Sequence, residues 1–392
     1  MNYFERATAL MPELVENRRY FHTNAEVGVH NPKAQAYVLA KLKEYGIDAK
    51  PCGEGVTAMI GKGEGKTILL RADMDTLPMP EQSGEPFACK TGTEAHTCGH
   101  DFHAAMLLTA AKMLKENEAE LEGNVKLMFQ TGEETFEGGK NMIENGILEN
   151  PVPDVALAYH VSPGKMPVGL YMYNNNSTMM FSVDGFKITV HGKGGHGAYP
   201  HTSVDPINIA IHIHLALQEL IARESDPTKA CVLTVGKFQA GSAANIIPET
   251  CVMEGTIRSN NPEERSKLVR RMREVAQRVA AVYYGQVEVD MTSACPPLIC
   301  KPAVVDEMIG YMKELGIPNL MGYPGIQASA SEDFALVAEK IPSAFMYLSA
   351  GYLDERGGHG AHNPKARFNE DVLPIGASCL AHCAQQWLKN NK

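Results

Sequence analysis

Two short segments that are apolar on both faces limit the fold of this chain more than any other feature. They are TILLRA (67–72) and VKLMFQ (125–130), and neither leaves a polar face for solvent. Strands of this kind are typical of a parallel sheet that is covered by helices. Further strands are predicted at VTAMIG (56–61) and VALAYHV (155–161), and helices at about 3–20, 33–46, 102–116 and 372–389. The alternation predicts an α/β layer fold.

The sequence pattern changes near residue 183. The alternating segment VDGFKITVHG is followed by a helix at about 204–223, strands near 231–238 and 250–258, a long helix and the strand QVEVDM. Pro262 and the acids after it fit the first turn of that long helix. This order is a β-α-β-β-α-β unit. We therefore expect residues 184–294 to form an inserted domain, and residues 1–183 and 295–392 to form the first domain.

Composition and charge exclude several classes of protein. Apolar residues make up 44% of the chain and charged residues 21%, which favours a globular core over disorder. The net charge of -10 argues against nucleic-acid binding, which needs clustered Lys and Arg. The amino-terminal segment lacks the apolar core of a signal peptide, and no segment approaches the roughly 18 apolar residues of a membrane span. We expect a cytoplasmic enzyme with no nucleic-acid or membrane partner.

The motif HTCGHDFH (96–103) is the strongest chemical feature. It places Cys98 and His100 two residues apart, between a long loop and a helix. Thiolate and imidazole are both good ligands for a borderline divalent metal ion. The alternative is a buried cysteine beside helix-capping residues, with His96 and His103 on the surface.

The motif QTGEETFEGG (130–139) places two adjacent acids, Glu133 and Glu134, directly after an apolar strand. Adjacent carboxylates in such a place are costly unless water solvates them or a cation neutralises one of them. If Glu134 binds a metal ion, Glu133 is free to act as a general base on water. A solvated acidic loop is the alternative interpretation.

Three more residues supply donors from separate segments. His160 ends an apolar run, His362 lies in GGHGAHNPKARF, and Asp75 follows a strand in RADMDTLP (71–78). A lone histidine on a strand is usually a core residue whose hydrogen bonds are satisfied, and an Asp-rich turn before Pro78 is the alternative interpretation of Asp75. However, the binding sites of open α/β sheets lie at strand ends and in loops. Because four separate segments each offer metal-binding donors in such places, together they predict a metal site. Asp75 would fix the tautomer of a metal-binding histidine.

Several motifs occur together in one order: RADMD, HTCGHD, GEE, the lone strand-end His, GKGGHGAYPH, NIIPE and a late His-Asn. On these motifs the chain closely resembles the M20 metallopeptidase family over nearly its whole length, in the amidohydrolase branch of aminoacylases, hippurate hydrolases and auxin-conjugate hydrolases. The resemblance implies a zinc-peptidase-like catalytic domain, with a mixed sheet between helices, and a ferredoxin-like lid and dimerisation domain.

The same resemblance implies two divalent metal ions per subunit. The matching ligand positions are Cys98, His100, Glu134, His160 and His362, and Glu133 matches the catalytic base. Many other branches have His at the position of Asp73 and Asp in place of the Cys-Gly-His arrangement. Ligands of such mixed hardness are compatible with zinc, manganese, cobalt or nickel.

The inserted domain contributes three candidate residues. His196 lies among glycines in HGKGGHGAYPH (191–201), which allows an imidazole to approach a ligand closely, although a surface turn is the alternative. In the family, the matching histidine reaches across a dimer and stabilises the oxyanion of the neighbouring active site. Asn245 and Arg258 resemble the substrate-binding pair, with Arg258 on the α-carboxylate of the substrate. A salt bridge to a helix acid is the alternative for Arg258.

The resulting expectation is metal-dependent hydrolysis of the amide bond of N-acyl amino acids or amino-acid conjugates, by a homodimer or a dimer-based oligomer. Acetyl, benzoyl, indolyl-acetyl and longer acyl groups are all candidates. A dipeptidase or carboxypeptidase of the same family is the first alternative. A catalytically silent ligand-binding homologue is the second, and the presence of every expected site residue argues against it. Four residues would either line an apolar pocket or pack in a core: Met179, Met180, Phe181 and Tyr199.

Overall fold

In this computed structural model, which describes residues 1–392, the chain divides into two compact units. The first unit comprises Met1–Met179, Ile299–Ile326 and Asp333–Lys392. The second unit comprises Met180–Leu298 and Gln327–Glu332. None of the helices is both long enough and apolar enough to cross a membrane. All nine cysteines are free thiols.

The helices and strands are numbered in chain order. The helices are α1 (Tyr3–Ala9), α2 (Met11–Thr23), α3 (Pro32–Glu44), α4 (His100–Glu116), α5 (Gly138–Glu144), α6 (Pro206–Glu219), α7 (Pro262–Val282), α8 (Pro302–Glu314), α9 (Ala335–Ala338) and α10 (Leu373–Asn390). The strands are β1 (Ala49–Cys52), β2 (Gly55–Gly61), β3 (Thr67–Asp73), β4 (Asn124–Gln130), β5 (Val155–Ser162), β6 (Leu170–Tyr173), β7 (Thr178–Met180), β8 (Val183–His191), β9 (Gly195–His196), β10 (Cys231–Ala240), β11 (Ile246–Ile247), β12 (Thr250–Ser259), β13 (Gln286–Cys295), β14 (Leu298–Ile299), β15 (Met321–Pro324) and β16 (Ser343–Ser349).

An eight-stranded mixed sheet forms the centre of the first unit, with the strand order β1-β2-β4-β3-β5-β16-β6-β15. The four inner strands β4, β3, β5 and β16 are parallel, whereas β1 with β2 and β2 with β4 are antiparallel. Every residue of β3 and β4 is buried, as strands in the middle of a helix-covered sheet must be. Helices α4 and α10 pack together and against β3. The predicted α/β class is confirmed.

The parallel strands bring their carboxyl ends to one edge of the sheet. Asp73, the last residue of β3, lies opposite Gln130, the last residue of β4. His160 lies near the same end of β5, which pairs with the other side of β3. Open α/β sheets bind ligands outside the carboxyl ends of their strands. The loops that follow these strands are therefore where a site is expected.

The amino-terminal segment forms two helices, where the sequence pattern predicted one helix at about 3–20. Helix α1 ends at Ala9 and α2 begins at Met11. Pro12 in the first turn of α2 has no N–H to offer the carbonyl of Thr8, and its ring would clash with that carbonyl in a continuous helix. The proline therefore sets the break.

The second unit has a four-stranded antiparallel sheet with the order β10-β12-β8-β13. Its own core is built by apolar residues of the sheet, of α6 and of α7, among them Ile213, Leu217, Leu268 and Met272. The side chain of Asn261 caps α7 by accepting hydrogen bonds from the next turn, directly before Pro262. Each unit thus has a separate hydrophobic core.

Candidate metal centre

A glycine sets the position of the two donors at the start of α4. Gly99 lies between Cys98 and His100 and has φ = +102°, a conformation that favours glycine. A Cβ atom on Gly99 would lie 2.5 Å from Val161 Cγ2 and 2.8 Å from the ring of Phe368. The start of α4 therefore packs directly on the end of β5, and Cys98 Sγ comes within 3.3 Å of His160 Nε2.

Donor atoms from four separate segments come together beside this helix start. In one group, donors of Cys98, His100 and His160 all lie within 4.8 Å of one another; in a second group, Cys98, Glu134 and His362 do so. Cys98 belongs to both groups. The structure thus brings together all five residues that the sequence analysis selected as ligands: His100 begins α4, His160 lies near the end of β5, and the other three lie in loops.

Two buried polar atoms in the cluster have no hydrogen-bond partner, His100 Nε2 and Glu134 Oε1. They lie 3.9 Å apart, which is too far for a hydrogen bond between them. Leaving such atoms buried and unpaired costs about 1–3 kcal/mol each. A thiolate, imidazoles and a carboxylate are also the ligand types that borderline divalent ions prefer. The residues therefore fit a metal centre.

Asp75 orients the ligand candidates around it. Its carbonyl oxygen lies 2.9 Å from His100 Nδ1, and its Oδ1 lies 3.4 Å from the same nitrogen. A proton on Nδ1 would be donated to Asp75 and would leave Nε2 as the ligand atom. The other carboxylate oxygen of Asp75 accepts a hydrogen bond from the backbone N–H of Glu134, at 3.0 Å. One side chain thus contacts two of the ligand-bearing segments.

Burial and local charge shift the pKa values of the cluster. Burial raises the pKa of the Cys98 thiol to about 12, and the charge of Glu134 adds to the effect. Burial and the neighbouring His103 hold the pKa of His160 well below its ordinary value, so this imidazole is neutral, as a metal ligand must be. Burial opposes ionisation of Glu134, but His362 and His100 hold its pKa below the usual range.

The two adjacent acids after β4 have different surroundings. Glu134 Oε1 lies 3.4 Å from His362 Nε2, within the second donor group. Glu133 is buried; its Oε2 lies 4.0 Å from His100 Nε2, and its Oε1 accepts a hydrogen bond from the backbone N–H of Asp333 at 3.3 Å. One acid therefore contributes to the donor cluster, and the other borders it.

A buried polar network beneath the cluster was not found by sequence reasoning. Arg71 lies 2.7 Å from Asp73 Oδ2, and Asp73 also bonds to His103 Nδ1. His103 Nε2 accepts a hydrogen bond of 2.7 Å from the backbone N–H of Val161, the residue after His160. The available signal was the charged pair Arg71 and Asp73 at the end of an otherwise apolar strand. His96 and His103 are both buried, not on the surface.

A second buried network supports the start of α4. Arg18 Nε lies 2.7 Å from Asp101 Oδ2, and both side chains are almost fully buried. His22 lies between Asp101 and Glu81, at 2.8 and 2.9 Å. Burial alone would raise the pKa of Asp101, but Arg18 and the histidines hold that pKa well below its usual range. Asp101 is therefore an anion in contact with Arg18, one residue after His100.

The three candidates from the inserted segment lie in the second unit. His196 on β9 pairs with Ile246 on β11, and the carbonyl of Asn245 accepts a hydrogen bond from Gly197. His196 and Asn245 are exposed and close together on this small ribbon. Arg258, at the end of β12, donates to Ser331 Oγ at 3.0 Å and to the carbonyl of Ser329 at 3.3 Å. It forms no salt bridge to a helix acid, which was the alternative.

The four candidates for an apolar pocket surface differ in exposure. Met179, Met180 and Phe181 are buried, at 0%, 3% and 7% exposure, so they pack in the interior. Tyr199 is 58% exposed.

Comparisons with known proteins find one family model and several relatives that are similar to this chain. The model of peptidase family M20/M25/M40 matches residues 69–386. The chain is 34% identical over 390 residues to N-acetyl-L-cysteine deacetylase of Bacillus subtilis, covering 98% of this chain and 90% of the relative. It is 35% identical over 394 residues to IAA-amino acid hydrolase ILR1-like 2 of Arabidopsis thaliana, and the match covers 98% of this chain and 88% of that relative. Thermostable carboxypeptidase 2 of Saccharolobus solfataricus is 35% identical over 381 residues, covering 94% and 93%.

A solved structure is also similar. The YXEP protein of Bacillus subtilis, described as a dinuclear metal-binding peptidase of the M20 family, matches with a TM-score of 0.81 and 30% identity. The match covers 97% of this chain and 99% of that protein.

The network below α4 makes a prediction about stability. Replacing Arg18 by Met should lower the free energy of unfolding by about 3–5 kcal/mol, because Asp101 stays buried without its cation. The control is Arg6→Met, since the ion pair of Arg6 with Glu116 is partly exposed and should contribute at most about 1 kcal/mol. Urea-induced unfolding followed by circular dichroism measures both, and equal effects of the two substitutions would contradict the role assigned to Arg18.

Proposed function

The chain belongs to peptidase family M20/M25/M40, and on that premise we propose that it is a metal-dependent amidohydrolase of N-acyl amino acids and amino-acid conjugates. The products are a carboxylic acid and a free amino acid. The observation that carries the proposal is the buried carboxylate of Glu133 beside a cluster of thiol, imidazole and carboxylate donors. Relatives named as a deacetylase of N-acetyl-L-cysteine and as hydrolases of auxin–amino acid conjugates support the substrate class.

Two divalent ions per subunit fit the two donor groups. Cys98, His100 and His160 would hold one ion, and Cys98, Glu134 and His362 would hold the other, with Cys98 common to both. The similarity to a dinuclear metal-binding peptidase supports this number. Zinc, manganese, cobalt and nickel all suit the mixed donor set. When bound, the ions would polarise the amide carbonyl and lower the pKa of a water molecule.

Side chains of the protein would carry out proton transfer, orient a metal ligand and bind the substrate. Glu133 takes a proton from the attacking water and delivers it to the leaving amine nitrogen, so that one carboxylate acts first as a base and then as an acid. Asp75 holds His100 in the tautomer that exposes Nε2. His196 supplies an N–H to the oxyanion of the transition state, Asn245 binds the substrate, and Arg258 binds the α-carboxylate of the substrate.

Cleavage of a peptide bond is the second candidate function. Relatives named thermostable carboxypeptidase 1 and 2 are 34% and 35% identical to this chain. The same base and donor cluster would serve both reactions, because a peptide bond and an acyl–amino acid bond are both amides.

A homodimer is the proposed assembly. Strand β10 lies at the edge of the four-stranded sheet of the second unit, so its outer backbone groups have no strand partner in the sheet. Val232 and Phe238 on this strand and Ile211 and Leu215 on α6 are between 41% and 58% exposed. An open strand edge with exposed apolar residues fits the surface of a second copy.

The substrate class is tested with metal-depleted protein that is re-supplied with zinc, manganese or cobalt. Amine release is measured from acetyl-, benzoyl-, indolylacetyl- and long-chain acyl amino acids and from matched dipeptides. We expect metal-dependent release from the acyl amino acids. A preference for dipeptides would support the carboxypeptidase alternative, and no release with any metal would contradict hydrolysis altogether.

The role of Glu133 is tested by Glu133→Gln, which should abolish turnover and leave the metal content unchanged, because the amide cannot accept the proton. Glu137→Gln is the matched control, since Glu137 lies on the same loop and is exposed. Initial rates and bound metal are measured on both. Turnover by Glu133→Gln within tenfold of wild type would exclude a general-base role.

The role of His196 is tested by mixing inactive subunits. His196→Ala alone should lower kcat by roughly 100-fold or more, as expected for loss of one oxyanion donor. If His196 acts across a dimer, co-refolding this variant with Glu133→Gln should restore roughly a quarter of wild-type activity, since half of the dimers then hold one complete site. Absence of any restored activity in confirmed heterodimers would contradict action across the dimer.

A further inference from the structure

Asp333 has a fully buried carboxylate, at the point where the chain re-enters the first unit. This carboxylate accepts hydrogen bonds from Arg71 Nη2 at 3.0 Å, from Gln130 Nε2 at 2.6 Å and from the backbone N–H of Gly139 at 2.7 Å. The donors belong to β3, β4 and the start of α5. A buried carboxylate with donors on three elements is held firmly, because moving it would leave a buried charge unpaired.

The backbone of the same residue contacts the proposed general base. The N–H of Asp333 donates to Glu133 Oε1 at 3.3 Å, while Glu133 Oε2 lies 4.0 Å from His100 Nε2. One oxygen of Glu133 is thus bonded to a backbone amide, and the other faces the donor cluster. Because the carboxylate of Asp333 is anchored to β3 and β4, its amide is fixed relative to the strands that end at the site.

We propose that Asp333 is a positioning residue for Glu133: its anchored carboxylate holds its own backbone N–H in place, and that N–H fixes the rotamer of the base. The inference rests on the proposed function of Glu133. A general base must lie within about 2.6–3.2 Å of the heavy atom that carries the proton. A displacement of about 1 Å can cost on the order of 100-fold in rate. Asp333 itself contacts neither substrate nor water in this role.

Gly139 offers a way to move Asp333 without changing any charge. A Cβ atom on Gly139 would lie 3.0 Å from Asp333 Oδ2 and 3.2 Å from the carbonyl oxygen of Asp333. These contacts are tighter than ordinary packing, so alanine at this position would push Asp333 away from its donors. Gly310 on α8 is the matched control, because it is exposed and a Cβ there meets nothing within 4 Å.

The test compares Asp333→Asn, Gly139→Ala and Gly310→Ala with the wild type, as full-length, metal-loaded protein. Asp333→Asn keeps the backbone amide of residue 333. It replaces one acceptor oxygen of the side chain by an NH2 group, which would face the N–H donors of Arg71, Gln130 or Gly139. We expect kcat to fall 10- to 100-fold, with KM and metal content within threefold of wild type. Gly139→Ala should lower kcat in the same way, by at least threefold, and Gly310→Ala should not change it. If Asp333→Asn does not fold, the comparison of kcat between Gly139→Ala and Gly310→Ala tests the proposal.

Two further measurements separate positioning from a general structural role. Combining Asp333→Asn with Glu133→Asp, which keeps a carboxylate at the position of the base, should lower kcat by less than the product of the two separate effects, whereas multiplied effects would overturn the proposal. In a crystal structure of Asp333→Asn, Glu133 Oε1 should lie more than 3.5 Å from the amide nitrogen of residue 333. A wild-type enzyme with no amide hydrolysis would refute the proposed function; an active wild type with kcat unchanged in Asp333→Asn and Gly139→Ala would refute only the positioning role.

Discussion

The interactions of one buried cation, the guanidinium group of Arg71, hold together the strand ends on which the candidate site depends. Arg71 lies in an otherwise apolar strand and is 2% exposed, so its charge would be very costly without partners. It bonds to Asp73 on its own strand, to Gln130 on β4 and to Asp333 far along the chain. Each partner in turn contacts a further part of the site. The energetic need to neutralise this guanidinium thus joins the strand ends that carry the ligand candidates.

The adjacent acids Glu133 and Glu134 have different surroundings because the loop after β4 is tightly closed. The N–H of Gly138 donates a hydrogen bond of 3.0 Å to the carbonyl oxygen of Gly132. A Cβ atom on Gly138 would lie 1.4 Å from the carbonyl oxygen of Thr131. Only glycine fits there. In this closed loop Glu134 faces His362, whereas Glu133 faces the amide of Asp333. The difference between the proposed ligand and the proposed base therefore depends on the backbone conformation as much as on the side chains.

The features of the fold and of the site that depend on short stretches of sequence could be predicted. The buried strands, the α/β class and the five clustered donors follow from apolar runs and from short motifs at strand ends. The pairing of Arg71 with Asp333 could not be predicted, since 262 residues separate the two and only the folded chain brings them together. The contact of His103 with Asp73 had no local signal either, and a surface position for His103 therefore stayed open as an alternative interpretation of its motif. By contrast, the break before α2 has a local signal in Pro12.

The burial of Cys98 has a consequence for the durability of the protein. Oxidants and alkylating reagents attack thiolates rather than thiols, and burial raises the pKa of the Cys98 thiol, which favours its neutral form. Burial therefore protects this sulfur from such reagents in a subunit without bound metal ions.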